Sequence, residues 1–314
     1  MEKALRQKAI ELLESGSIRL VIGYEQGSAP FKCTPLFAET PEEAERLIWN
    51  PTCVNNLAVY LPQVISQGKV AIVVKPCDAK SVVELIKEHK VNREDVVTIV
   101  VPCPGVLDLA GLSELDLRDV KSVQWGGEGV IVECNSGTVE LARERSFLSK
   151  CLSCTIGKAP LADVEIGESP VRNPLTGKHT SVEEYEKLSP AERRMFWARQ
   201  FTKCIRCYAC RQACPGCYCN ECFVDKKGQM WLLRATDTES NWFFHTSRMM
   251  HIAGRCIGCG ECERACPMGI PLTLLGTKLD KEVKEMFGSR AGESPDAPPI
   301  LGCFEPTDPD PCPE

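Results

Sequence analysis

"KVAIVVKPCDAKSVVELIKEHKVNREDVVTIVVPCPG", Lys69 to Gly105, alternates extended and helical patterning. Its β-branched run at 70–74 reads as a strand, which Pro76-Cys77 ends. Asp78 stands where it can cap a helix over 79–89, whose apolar residues recur at helical spacing. A second β-branched run, 96–101, stops at Pro102-Cys103-Pro104-Gly105. Strand, helix, strand at this length is a crossover unit, so the two strands are predicted to be parallel neighbours. Cys77 and Cys103 then fall just past the carboxyl ends of both strands, the edge where open α/β sheets place ligands.

Outward from this unit the N-terminal part keeps the same character. Residues 3–14 have helical spacing with Gly16 to end them, and 18–23 read as a strand. "TPEEAERLI" (40–48) has a Thr cap and acidic residues in its first turn, a good helix start. Residues 129–143 read as a hairpin turning at Asn135-Ser136-Gly137, with "QWGGEG" (124–129) as its approach. "CLSC" (151–154) follows, then a Gly/Pro-rich connector over 157–180 and a helix over 181–201. A short helix is expected near 278–287. The Pro- and acid-rich tail after it is expected to be extended or disordered. His89 reads as a charge complement at a helix end, His179 as a connector residue without a visible partner, and 192–194 as a solvated helix face.

Composition narrows the chemistry. The chain has 314 residues, a net charge of −6 and twenty cysteines against four histidines. The negative balance argues against nucleic acid as a partner. No apolar run reaches the length of a membrane span, so no membrane insertion is expected. The N-terminus has no h-region of a signal peptide, which predicts a cytoplasmic, reducing setting where clustered cysteines are metal ligands rather than disulfides.

"CIRCYACRQACP" (204–215) and "CIGCGECERACP" (256–267) carry that expectation furthest. Both have the spacing C-x2-C-x2-C-x3-C-P of bacterial ferredoxins that hold two 4Fe-4S clusters. Three thiols at i, i+3 and i+6 wrap one cubane, and the fourth, before proline, reaches the other. One cluster is therefore assigned to Cys204, Cys207, Cys210 and Cys266, and its partner to Cys256, Cys259, Cys262 and Cys214. A structural zinc-binding module is the competing reading, although zinc pairs usually come as separated C-x2-C knuckles. Between the repeats, 215–255 is a long insertion. Its Cys217, Cys219 and Cys222 are candidates for an additional cluster or zinc, with a fourth ligand from Cys33, Cys134, His245, His251, Cys303 or Cys312. Trp231, Trp242, Phe243 and Phe244 read as core or interface.

Cys77, Cys103 and the pair Cys151 and Cys154 form a second constellation, suited to a third 4Fe-4S cluster. With "NPTCVNN" around Cys53, "KPCDAKSV", "VVPCPG" and "CLSCTIGKAPLADVEIGES", the chain over roughly residues 1–170 resembles the beta subunits of coenzyme F420-reducing hydrogenases and related formate dehydrogenases. The resemblance implies a flavin-proximal cluster passing electrons between FAD, F420 and a partner's iron–sulfur chain. It leaves Cys53, Cys77, Cys103, Cys151 and Cys154 competing for four places. The Gly-Gly segment with which that family places its flavin is not found here, which puts bound FAD in question.

The expected architecture is an α/β N-terminal domain with a mainly parallel sheet, plus an α+β dicluster ferredoxin-like domain. Its parts are 1–160, a connector and helix at 161–201, the two-cluster block at 202–275, and a helix with tail at 276–314. The expected role is an electron-transfer subunit in an anaerobic hydrogenase, formate dehydrogenase or heterodisulfide-reductase-like complex. The alternative is an FAD-containing F420 oxidoreductase. No catalytic acid–base pair, nucleophile or phosphate loop is recognisable.

Overall fold

The structure is a computed structural model that describes residues 1–127, 129–170, 173–226 and 235–300. The chain divides into two compact units, Met1–Lys178 and His179–Glu314.

In the first unit the sheet strands are β1 (Leu20–Gln26), β2 (Cys33–Ala38), β3 (Val70–Val74) and β4 (Val96–Val100). A second, three-stranded sheet is built from β5 (Val120–Trp125), β6 (Gly129–Cys134) and β7 (Gly137–Ala142), and β8 (Val164–Glu165) returns to the first. The larger sheet has the order β2-β1-β3-β4-β8. β3 pairs in parallel with β4 from Val70 opposite Val96 to Val74 opposite Val100. All five residues of β3 are buried, as a strand covered on both faces requires. The crossover helix Ala79–Lys87 sets Ala79, Val82, Val83 and Leu85 into the core.

Several local expectations change. Asp78 occupies the position before the crossover helix, but its side chain makes no cap hydrogen bond. It pairs with Lys75 at 2.7 Å, both side chains 1% exposed. A buried ammonium left without its carboxylate costs several kcal/mol, more than a lost side-chain cap, so the side chain turns to Lys75. Thr40 does form a capping box with Glu43, yet the helix covers only Pro41–Ala44. Ile48 N–H donates to Tyr24 O at 2.8 Å and pulls the chain onto β1. β2 was not expected, since Pro35 interrupts its pattern; the strand lies at the sheet edge, where proline is tolerated.

The second unit, among its described residues, is helical. The expected helix over 181–201 is two, Thr180–Glu186 and Pro190–Thr202. Pro190 cannot continue the first helix, and Ser189 caps the second through a capping box with Glu192. Leu272–Phe287 begins earlier than the short helix expected near 278–287. It packs on Thr180–Glu186, where Lys278 and Lys281 both donate to Glu186 and hold its carboxyl down to about 2. His179, expected to lack a partner, lies 3.1 Å from Asp280. Trp197, Phe201 and Phe244 form the core with Ile270 and Leu272. Phe244 is buried there, whereas Phe243 is exposed; Trp231, Cys303 and Cys312 lie outside the described residues. Among the described residues no helix is long and apolar enough to cross a membrane.

Candidate functional site

The two repeats fold alike. Their loops need left-handed backbone at matching places, Arg206 and Tyr208 in the first, Gly258 and Gly260 in the second. Glycine adopts that conformation freely. In the first repeat it is held by side-chain packing: Arg206 Nη1 donates to Ser240 O at 2.9 Å, and its guanidinium lies 5.3 Å from the Phe244 ring centre. These turns aim amide N–H groups at sulfur, as where Arg206 N–H donates to Cys204 Sγ at 3.4 Å.

Cys204, Cys207, Cys210 and Cys266 line one cavity, together with Tyr208 and His245. In the other group, the Cys262 thiol has Cys214, Cys259 and Cys256 around it. The last cysteine of each repeat thus stands with the first three of the other. Burial pushes the Cys210 and Cys256 thiols up to about 11 and Cys262 well above its ordinary range. Cys214 is raised first by its hydrogen bond with Cys217, then by burial. His245 Nε2 lies 3.3 Å from Cys204 Sγ, and burial brings this imidazole down to about 3, keeping it neutral.

The surroundings fit iron–sulfur clusters. Arg248 is 2% exposed, and its Nη2 donates to Cys210 O at 2.9 Å. Its Nε and Nη1 have no nitrogen or oxygen acceptor. Its charge acts on the thiols of Cys214, Cys217, Cys262 and Cys210. A buried guanidinium without an anion costs several kcal/mol, and neutral thiols supply none. Thiolates bound to iron would. Gly276 gives a second indication, because a Cβ there would meet Cys256 Sγ at 2.9 Å. Glycine inside a helix costs about 1 kcal/mol relative to alanine, and here it leaves room for a sulfur. Gly276→Ala should therefore favour the helix yet lower the iron bound per chain, measured colorimetrically on anaerobic protein. Iron content equal to the parent's would refute the crowding argument.

Cys217, Cys219 and Cys222 line a separate pocket of about 250 Å³ with Arg248, His251 and Arg255. Of the proposed fourth ligands, His251 is there, His245 is at Cys204, and Cys33 and Cys134 belong to the first unit. Among the described residues no three His, Cys, Asp or Glu side chains converge on a single-ion site. A cubane needs a wider ring, since each thiolate binds a different iron.

In the first unit three loops are stitched together at the strand ends. Trp49 Nε1 donates to Pro102 O at 2.8 Å, Leu107 N–H to Pro51 O at 2.8 Å, and Leu148 N–H to Val106 O at 3.1 Å. This joins the segments bearing Cys53, Cys103 and Cys151. Val106 N–H also donates to Cys151 Sγ at 3.5 Å. Cys77, half-buried after β3, is raised well above the usual thiol range by burial and by Asp78, with Cys103 and Lys150 close by. Cys53 faces elsewhere: it hydrogen-bonds with Cys33, which donates to Thr52 O at 2.8 Å. At the centre, Lys75 Nζ donates to Tyr24 Oη, Cys53 O and Asn55 O at 2.8 to 3.0 Å. Despite burial, Asp78 and Tyr24 keep this ammonium well above its ordinary value.

Lys75, Arg248, Gly276 and the Cys33–Cys53 contact were missed from sequence. One signal was present: Asn241, His245 and Arg248 recur at helical spacing where a core stripe belongs, and all three are buried.

Residues 67–187 match the family described as the C terminus of the coenzyme F420 hydrogenase/dehydrogenase beta subunit. Residues 200–270 match the 4Fe-4S dicluster domain. The beta subunit of F420-dependent formate dehydrogenase from Methanocaldococcus jannaschii is 23% identical, over 92% of this chain and 91% of its own. That of F420-dependent formate dehydrogenase 1 from Methanococcus maripaludis is 24% identical, over 94% and 92%. A chain of the F420-reducing NiFe hydrogenase complex from Methanosarcina barkeri is similar at 18% identity and a TM-score of 0.39, over 48% of this chain and 58% of that one.

Proposed function

We propose, for a chain that joins the C-terminal domain of coenzyme F420 hydrogenase/dehydrogenase beta subunits to a 4Fe-4S dicluster domain, that it is the electron-transfer subunit of an oxidoreductase complex. The observation that carries the reading is the grouping of thiols across the two repeats around a buried guanidinium.

Cys204, Cys207, Cys210 and Cys266 hold one 4Fe-4S cluster, and Cys256, Cys259, Cys262 and Cys214 hold the second. Cys77, Cys103, Cys151 and Cys154 hold a third, supported by the stitched loops; Cys53, turned to Cys33, stands aside. Bound in these places, the clusters take up and release single electrons. The chain's own residues keep the thiolates in place, exclude water and donate N–H groups to sulfur, as Arg206 and Val106 do. No proton need move. The partners are other subunits of the complex, with a formate-oxidising catalytic subunit supported by the relatives' names.

Anaerobic purification with iron, sulfide and zinc analysis tests this. About twelve irons per chain are expected from three cubanes, and about eight would remove the third site. Zinc with little iron would overturn the proposal. F420 in the relatives' names favours a second reading, an F420 oxidoreductase, in which a bound FAD would exchange hydride with F420. A flavin absorption band surviving desalting, with F420 turnover by the isolated chain, would favour it.

A further inference from the structure

Arg248 does more than balance charge at assembly. It comes from the helix Thr238–His251, inside the insertion between the two repeats. Its charge acts on Cys214, Cys256 and Cys262, three thiols of the second group, and on Cys210 alone of the first. Cys217 hydrogen-bonds with Cys214, accepts from Arg248 and lines the same pocket as the guanidinium. One Arg248 nitrogen is committed to Cys210 O, and Nε and Nη1 remain available to sulfur.

We propose that Arg248 sets the reduction potential of the cluster held by Cys214, Cys256, Cys259 and Cys262, its buried charge and unused N–H donors stabilising the reduced form. The assignment rests on the function proposed above. Reduction adds one electron to the cluster from a low-potential one-electron donor, with no bond broken and no proton taken up. The added negative charge appears next to a guanidinium that water does not screen. The interaction is therefore stronger after reduction than before it, and the potential is raised. The first cluster, which feels Arg248 through Cys210 alone, is affected less. Arg248 is a tuning residue; it acts on the cluster through thiolates and carries no electron itself.

The test is a stepwise dithionite titration followed by electron paramagnetic resonance, on the full-length anaerobic parent and on Arg248→Met and Arg248→Lys. In Arg248→Met one cluster should be reduced at a clearly more negative potential, with the other moving less. Arg248→Lys, which keeps the charge, should return most of the shift. Should Arg248→Met fail to load iron, Arg248→Gln, polar and of similar length, takes its place with the same expectation. Unchanged potentials in an iron-loaded neutral variant would overturn the proposal. So would an equal fall in the Met and Lys variants, which would assign the effect to packing. A parent without iron or signal would instead overturn the function proposed above.

Discussion

Cys266→Ser should remove about four irons per chain, one cubane's content, and the lost cluster should be the one whose other thiols lie some sixty residues upstream in sequence. Cys204, Cys207 and Cys210 share their cavity with Cys266 rather than with their own fourth cysteine. The decisive measurement is a pair of double variants. Cys207→Ser combined with Cys266→Ser should lose no more iron than either alone, because both strike one cluster. Cys259→Ser combined with Cys266→Ser should lose about eight irons, because they strike two. The opposite pattern would mean that each repeat keeps its own four sulfurs.

Asp78→Ala should destabilise the first unit by about 3–5 kcal/mol, the usual cost of leaving a buried charge without its partner. Lys75 cannot reach water: it is 1% exposed and enclosed by Tyr24 Oη and two carbonyl oxygens. Those oxygens solvate the ammonium but carry no negative charge. Hydrogen exchange of the β3 amides, the best buried in the sheet, reads the loss directly. Replacing both partners with Met and Leu should recover much of the stability, since a buried ion pair is often no better than packed hydrocarbon. An Asp78→Ala protein with unchanged exchange would show that the ammonium is satisfied without its carboxylate.

What could be read in advance depended on how local the cause was. Strand β3, the helix after it and strand β4 each follow from their own residues, so their parallel pairing and the place of Cys77 and Cys103 were legible. The repeated thiol spacing was equally local. Strands β2 and β8 were not legible: one contains Pro35 and the other has two residues, and each exists because a neighbouring strand offers hydrogen bonds. Asp78 was misjudged for a related reason. Capping is a property of sequence neighbours, whereas its pairing with Lys75 depends on a burial that only the assembled sheet creates. Arg248 shows the same limit at the site, since nothing in its own helix announces thiols from both repeats.

The short strand β8 changes how the Cys151–Cys154 turn behaves. Upstream, Leu148 is fastened to Val106; downstream, Ile166 N–H donates to Val100 O at 2.9 Å. One foot of the loop is therefore pinned to the carboxyl end of β4 and the other to the segment that follows that strand. A tether closed in this way has already spent most of its chain entropy before anything binds between its feet. Capture by the pair of the cluster proposed above would then cost little further ordering, the two sulfurs being preorganised by a strand two residues long.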